Sequence, residues 1–262
     1  MKKIKVFIAC IKQSLIYEMQ YKASFIFNCF TSIGWTYLSF LTVTLVGSNM
    51  PSIYTNWTKN QYLLFWVLNF ISEGVVSTIF KRNYEKIPDK IVNGELDYIL
   101  TRPFKSKLLA TLGQIRFDTL PGFFFINFIA FRSVLNLESS NALFTNILLF
   151  ISFLILLPVI RYSLVTATIS LCFWLLGASN IMFLTHQIIS FAHYPINAFG
   201  KAFSFIFTFI FPIAFISFFP AKILFDFSIT HFLILIFVAI ILYKISDFIW
   251  NLGLKNYSSA SS

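Results

Sequence analysis

The sequence predicts an all-α membrane protein: six transmembrane helices, an amphipathic amino-terminal interfacial helix, a short cytoplasmic element between the second and third crossings, and a re-entrant hairpin before the last. Three observations lead there. Hydrophobic residues make up 58% of the 262 and charged residues 11%, under half the roughly 25% charge of a soluble domain. The mean hydropathy of +0.79 requires apolar stretches of about 20 residues, each enough to cross ~30 Å of hydrocarbon. The charge is also gathered, with twelve of the 20 basic residues inside 1–24 and 81–107. A net charge of +10 suits nucleic acid only on a water-facing scaffold, which is missing; its partner is an anionic bilayer face.

In residues 1–24, Ile4, Phe7, Ile8, Ile11, Leu15 and Met19 recur at helical spacing with Lys5 and Lys12 opposite, the pattern of a helix lying in the interface. Lys12 interrupts the apolar run and no small-residue cleavage site follows, which disfavours a signal peptide. Short basic flanks stay in the cytoplasm. Both basic segments are therefore inside, and two crossings, Phe25 to Val46 and Gln61 to Phe80, lie between them. The loop holding Met50, Pro51 and Trp57 then faces out, with Trp57 and Tyr62 in the interfacial aromatic belt.

Five more apolar stretches follow: Leu108 to Phe131, Ala142 to Ile160, Tyr162 to Thr185, Phe203 to Phe219 and His231 to Trp250. Seven crossings would leave the carboxy terminus outside, whereas Lys244 and Lys255 place the tail, 251–262, inside. One stretch therefore turns back. Phe203 to Phe219 is the shortest, contains Pro212 and lies between Pro195 and Pro220, so a broken, re-entrant hairpin is expected there. This reading needs a tight cytoplasmic turn at Arg161. If Ala142 to Ser179 is instead one long tilted helix, Phe203 to Phe219 becomes a crossing and the count stays at six. Tyr257 to Ser262 reads as disordered, and residues 1–262 as a single membrane domain without a soluble linker.

No glycine-rich phosphate loop followed by Lys and Ser/Thr occurs, so nucleotide hydrolysis by that route is not expected of this chain. Cys10, Cys29 and Cys172 have no close pairing, and His186, His193 and His231 lack a carboxylate or cysteine at ligand spacing. Packing, not a metal or a disulfide, is the expectation. No catalytic constellation is legible. Glu73, Arg116, Asp118 and Arg161 lie inside or at the edges of spans, where a charge normally faces a bundle interior, water or a partner. Arg116 is expected to snorkel to the inner boundary. Arg116 and Asp118, two apart and on different helix faces, are expected to meet other helices rather than each other. Glu73, the lone charge of its span, sits beside Ser72, Gly74 and Ser77, a small polar strip suited to close helix contact or a water-lined cavity. It is the candidate for contact with a substrate.

Residues 81–107 read KRNYEKIPDKIVNGELDYILTRPFKSK. Ile87, Ile91, Val92, Leu96, Ile99 and Leu100 form a short helical stripe, broken by Pro88 and Gly94 and stopped before Pro103. Such an element is a docking surface or a patch resting on lipid headgroups. The string Asn93-Gly94-Glu95-Leu96-Asp97, then Leu100-Thr101-Arg102-Pro103, follows two spans and a basic stretch. With Tyr194-Pro195, and with Ile213-Ala214-Phe215 between Pro212 and Pro220-Ala221, it resembles the permease subunits of type-two ATP-binding-cassette exporters, in particular a bacterial branch of short permeases. The resemblance covers nearly the whole chain. It implies a coupling helix in this loop, with Gly94, Glu95, Leu96, Asp97, Arg102 and Pro103 at a cleft of a separate cytoplasmic ATPase. That ATPase would bind the ATP and magnesium, leaving no cofactor in this chain. The resemblance further implies two permeases, identical or related, and two ATPases in a bacterial plasma membrane. Both termini would be cytoplasmic, with a re-entrant hairpin before the last crossing. The stretch before the motif is more basic, and the spans richer in phenylalanine, than the family pattern.

Other classes compete. A carrier or channel driven by an ion gradient needs charged groups through several spans, and Glu73 alone qualifies cleanly. An intramembrane lipid-modifying enzyme needs His186, His193 and Glu73 or Asp118 to converge near one interface, yet they are far apart in sequence. A structural or regulatory membrane subunit stays open.

Overall fold

The computed structural model describes residues 2–49, 57–136, 142–175 and 178–257. Helix makes up 83% of it, and no strand occurs among the described residues. In chain order the helices are α1 (Lys2–Met19), α2 (Lys22–Asn49), α3 (Lys59–Val76), α4 (Arg82–Tyr84), α5 (Ile87–Val92), α6 (Leu96–Leu100), α7 (Ser106–Thr111), α8 (Leu120–Leu135), α9 (Leu143–Ile169), α10 (Ala178–Ser190), α11 (Lys201–Phe205), α12 (Phe218–Phe225) and α13 (Ile229–Asn256). Four helical runs are long and apolar enough to cross a bilayer: Lys22–Leu45, Lys59–Val92, Leu143–Phe173 and Ile229–Asn256. Leu120–Leu135 and Lys201–Ile210 are apolar but shorter.

The hub is α3. Leu64, Phe65, Val67, Leu68 and Ile71 are completely buried, and α2, α8, α9 and α12 pack around them. A helix apolar on most of its sides belongs in that position. Its start is fixed by a capping box, in which Thr58 Oγ1 accepts from Gln61 N at 3.3 Å and Gln61 Oε1 accepts from Thr58 N at 3.0 Å; such caps stabilise by about 1 kcal/mol. Along α9 lies α13. Across α2, α8 approaches so closely that a Cβ on Gly122 would overlap Ser32, and there Ser32 Oγ accepts from Gly122 N and donates to Thr119 O, each at 3.2 Å. The opposite face of α2, with Phe27, Phe30 and Trp35, is exposed, as a lipid-facing surface is.

Several expectations need correction. Arg161 occupies no turn: Leu143 to Phe173 is one helical run with Arg161 in its middle, and Pro158 is accommodated within it because neighbouring helices surround the site. The expected Tyr162 to Thr185 stretch is divided, its first part completing that run and its second forming α10. Leu108 to Phe131 is also divided. Residues 112–119 form a loop, and α8 begins only at Leu120, with a proline in its first turn where a missing N–H costs nothing. Phe203 to Phe219 is broken around Pro212, with Lys201–Ile210 helical before it and α12 after it. The long helix and the broken stretch thus occur together, a combination neither reading held. Pro88 opens α5 instead of interrupting a stripe. The expected tail 251–262 is helical as far as Asn256.

The amino-terminal helix is amphipathic, with its polar side toward the protein. Ser14 and Glu18 are buried, while Ile8, Leu15, Ile16 and Met19 are exposed. The polar residues face the protein and the apolar stripe faces outward, where a bilayer interface is its solvent. The side chains of Ile4 and Phe7, the loop at Met50 and Pro51, and the expected disorder of 258–262 lie outside the described residues.

Candidate functional site

Asn69, Ser72 and Glu73 are spaced three and four residues apart and share one face of α3. Arg161 of α9 meets that face. Its Nη2 donates to Asn69 Oδ1 at 2.6 Å, its Nε donates to Ser72 Oγ at 3.0 Å, and its Nη1 lies 3.7 Å from Glu73 Oε2. Only 5% of Arg161 is exposed, and a guanidinium so buried requires acceptors on most of its edges. Glu73 Oε2 also lies 3.5 Å from His193 Nε2, while His193 Nδ1 is 2.9 Å from Ser190 O. One ring nitrogen thus faces a backbone carbonyl and the other a carboxylate.

Of these groups, Glu73, Arg161, Ser190 and His193 line a cavity of about 130 Å³ between α3, α9 and α10. Lys81, Glu85 and His186 add polar groups, and Val76, Val165, Met182 and Ile189 make its apolar wall. An apolar cleft with a few convergent polar groups is the ordinary form of a small-molecule site.

The second site is the segment from α5 to α7. Gly94 has φ 73°, a left-handed conformation open to glycine at little cost, and it turns the chain from α5 into α6. Ile87 and Leu96 are completely buried, in one cluster with Tyr84, Tyr162, Ile169 and Trp250. Above that base, Val92, Tyr98 and Leu100 are exposed, as are Glu95, Arg102 and Pro103; the Arg102 guanidinium lies over the Tyr98 ring at 4.4 Å. The segment is also clamped to α13. Lys107, 3% exposed, places Nζ 2.6 Å from Asp247 Oδ1 and donates to Ser246 Oγ at 2.9 Å. Trp250 Nε1 donates to Ser106 Oγ at 3.1 Å. Burial holds the Lys107 pKa below the usual lysine value, and Asp247 opposes this.

A third polar knot ties the loop before α8 to α1. Ser14 Oγ accepts from Ile115 N and Glu18 Oε2 from Phe117 N, both at 3.0 Å. Arg82 approaches Glu18 at 3.6 Å. Burial, with Asp118 nearby, pushes the Glu18 carboxyl above its ordinary pKa despite the Phe117 and Arg82 interactions. Arg116 and Asp118 pair bidentately with each other, at 3.1 and 3.0 Å, contrary to expectation. The residues leave the helix here, and once they do their two-residue spacing no longer separates the side chains.

A family model described as ABC-2 family transporter protein matches residues 33–261. The chain belongs to that family. No curated protein and no solved structure matched it.

In this ABC-2 permease, the groups a lipid-modifying enzyme would need are partly assembled: Glu73, His186 and His193 line one cavity, whereas Asp118 is in the separate knot with Arg116 and His231 opens α13. Of the residues expected at a docking surface, Glu95, Arg102 and Pro103 are exposed, Gly94 and Asp97 are half-buried, and Leu96 is in the base. The sequence reading missed Asn69 and Arg161 as partners of the Glu73 strip, although Asn69 is the one amide inside its apolar run. It also missed the Lys107–Asp247 clamp, whose signal was the single acid inside the last apolar stretch.

Proposed function

We propose that this permease is the membrane half of an ATP-driven exporter. The family match over 33–261 carries the proposal. A separate cytoplasmic ATPase binds ATP and magnesium and receives the α5–α6 segment, with Gly94, Glu95, Leu96, Asp97, Arg102 and Pro103 at or beneath the contact. A second permease, identical or related, completes the path, and Glu73 lies on the substrate side. The whole chain, 1–262, acts as one membrane domain of a bacterial plasma membrane with both ends cytoplasmic. Six crossings are α2, α3, α8, α9, α10 and α13, and the broken stretch from α11 to α12 is re-entrant from the outer side. The rings of Trp57, at the start of α3, and Phe218 and Phe225 of α12 lie 5.4 and 5.3 Å apart, which supports placing that hairpin at the outer level.

The test is co-purification with an ATPase bearing a phosphate-loop lysine, followed by vesicle transport with and without ATP. Complex formation and ATP-dependent transport are expected. Replacement of Glu95, Asp97 or Arg102 should uncouple hydrolysis from transport without preventing membrane insertion. Unchanged substrate-stimulated hydrolysis in those variants, or no complex at all, would refute the reading. The meeting of Glu73 with His186 and His193 in one cavity favours a second reading, transport driven by an ion gradient through a polar cluster, which uptake driven by a pH gradient without ATP would select.

A further inference from the structure

Two confluent cavities lie between α1, the α5–α6 segment and the loop at 112–114. They measure about 450 and 350 Å³ and share Gln13, Lys90, Tyr98 and Gly113. Both volumes fall within the roughly 300–1,000 Å³ of ligand sites. Their linings carry five cations, Arg82, Lys86, Lys90, Arg102 and Lys105, against one carboxylate, Glu95, among the described residues. Arg82 pairs with Glu18 at 3.6 Å, outside both linings, and the charge of the other four is compensated only in part. Lys86 Nζ donates to the neutral amide of Gln114 at 2.9 Å, and Arg102 lies over the Tyr98 ring. Lys105 is 3.8 Å from Asp247, a carboxylate that Lys107 holds more closely. Lys86 and Lys90 are one helical turn apart, a spacing at which like charges repel. The second cavity has an apolar wall of Ile99, Phe104, Leu108, Leu109 and Leu112 beside its cations.

We infer that this groove binds the phosphate-bearing headgroup of an anionic phospholipid, with its acyl chains against the apolar wall. Charge complementarity names the ligand's sign, because a groove whose cations outnumber its acids stabilises a phosphate through charge-assisted bonds. The adjoining apolar wall names a lipid rather than a free ion. The position does so too, since α1 turns its apolar stripe away from the protein and places the groove at the level where headgroups lie. A docked protein would be expected to take the apolar tip, Val92 and Leu100, and neither residue lines either cavity. The groove shares Glu95 and Arg102 with the segment proposed to meet the ATPase, so the variants that test it are made at Lys86, Lys90 and Lys105, outside that set.

The test uses the full chain, purified in detergent, with phosphatidylglycerol, phosphatidylcholine or inorganic phosphate added. Bound lipid is counted by native mass spectrometry, and thermal unfolding is followed in parallel. Phosphatidylglycerol should be retained and should raise the unfolding midpoint, whereas phosphatidylcholine and phosphate should do neither. In the triple variant Lys86→Gln, Lys90→Gln, Lys105→Gln the apparent affinity should fall on the order of tenfold or more. The control triple Lys201→Gln, Lys244→Gln, Lys255→Gln should keep it. Equal retention of phosphatidylcholine, equal protection by phosphate, or equal loss in both triples would overturn the site. So would a groove triple that loses ATPase binding yet keeps phosphatidylglycerol. Should the triple fail to fold, a headgroup photo-crosslinking phosphatidylglycerol on the unaltered chain decides. Labelled peptides from 10–17 or 82–112 support the site, and labelling confined to other peptides refutes it.

Discussion

Replacing Asp247 by Asn would leave Lys107 buried with Ser246 and two aromatic rings but no anion. Removing one member of a buried pair costs about 3–5 kcal/mol, so the Asp247→Asn unfolding midpoint should drop markedly. The double variant Lys107→Met, Asp247→Leu should recover much of the loss, because no charge is then stranded. The pH dependence has a defined sign. Burial sets the Lys107 pKa below its ordinary 10.5, so between those two values the unfolded chain holds the extra proton and stability rises with pH. With Asp247 neutralised that window should extend to lower pH, which a series of unfolding midpoints would register as a longer climb; an unchanged profile would rule the effect out. Arg161→Leu makes the matching test at the cavity. It leaves Asn69, Ser72 and Glu73 without their shared donor, and an equally large loss of stability is expected.

At the scale of single elements, Gly94 is the sharpest test. A side chain in its left-handed conformation costs roughly 1–2 kcal/mol, so Gly94→Val should lower the unfolding midpoint while Gly94→Asn, a residue that tolerates this region, should lower it less. Equal midpoints would mean that the turn between α5 and α6 relaxes freely. Which elements could be read from sequence follows from what their residues have to satisfy locally. Apolar runs with basic or polar ends mark α2, α3 and α13, and Pro212, lying between Pro195 and Pro220, marks the break before α12, whereas Pro158 is carried inside α9. Arg161 misled because a charge in an apolar run reads as a helix end unless its partners are known, and those partners are 89 and 92 residues away. What anchors α1 was hidden for another reason. An apolar stripe at helical spacing looks the same whether lipid or protein covers it, and only the bonds from Ile115 and Phe117 to Ser14 and Glu18 decide. The Glu73 strip was legible as a strip, and its convergence with His193 was a product of the tertiary fold.

For the molecule as a whole, the orientation read from clustered charge can be tested directly. In a chain with Cys10, Cys29 and Cys172 replaced by alanine, an impermeant maleimide should label Lys59→Cys on intact cells and Lys86→Cys only after permeabilisation; the reverse order would invert the topology. A mechanical consequence follows from how the helical run Lys59–Val92, which α3 begins, is joined to α9. Arg161 fastens them at mid-height through α3, and lower down the hydroxyl of Tyr84, in α4 of the same run, meets Thr166 Oγ1 at 3.0 Å. Two helices riveted at two heights behave as a beam. The 27 residues of α9 give it a length of about 40 Å, so a tilt of about 5° sweeps the far end by roughly 3.5 Å. A push beneath Ile87 and Leu96 is then delivered as leverage at the opposite end instead of being lost in bending, and the compliance needed to open a path falls to the short pieces, α10 to α12, that rest beside the beam.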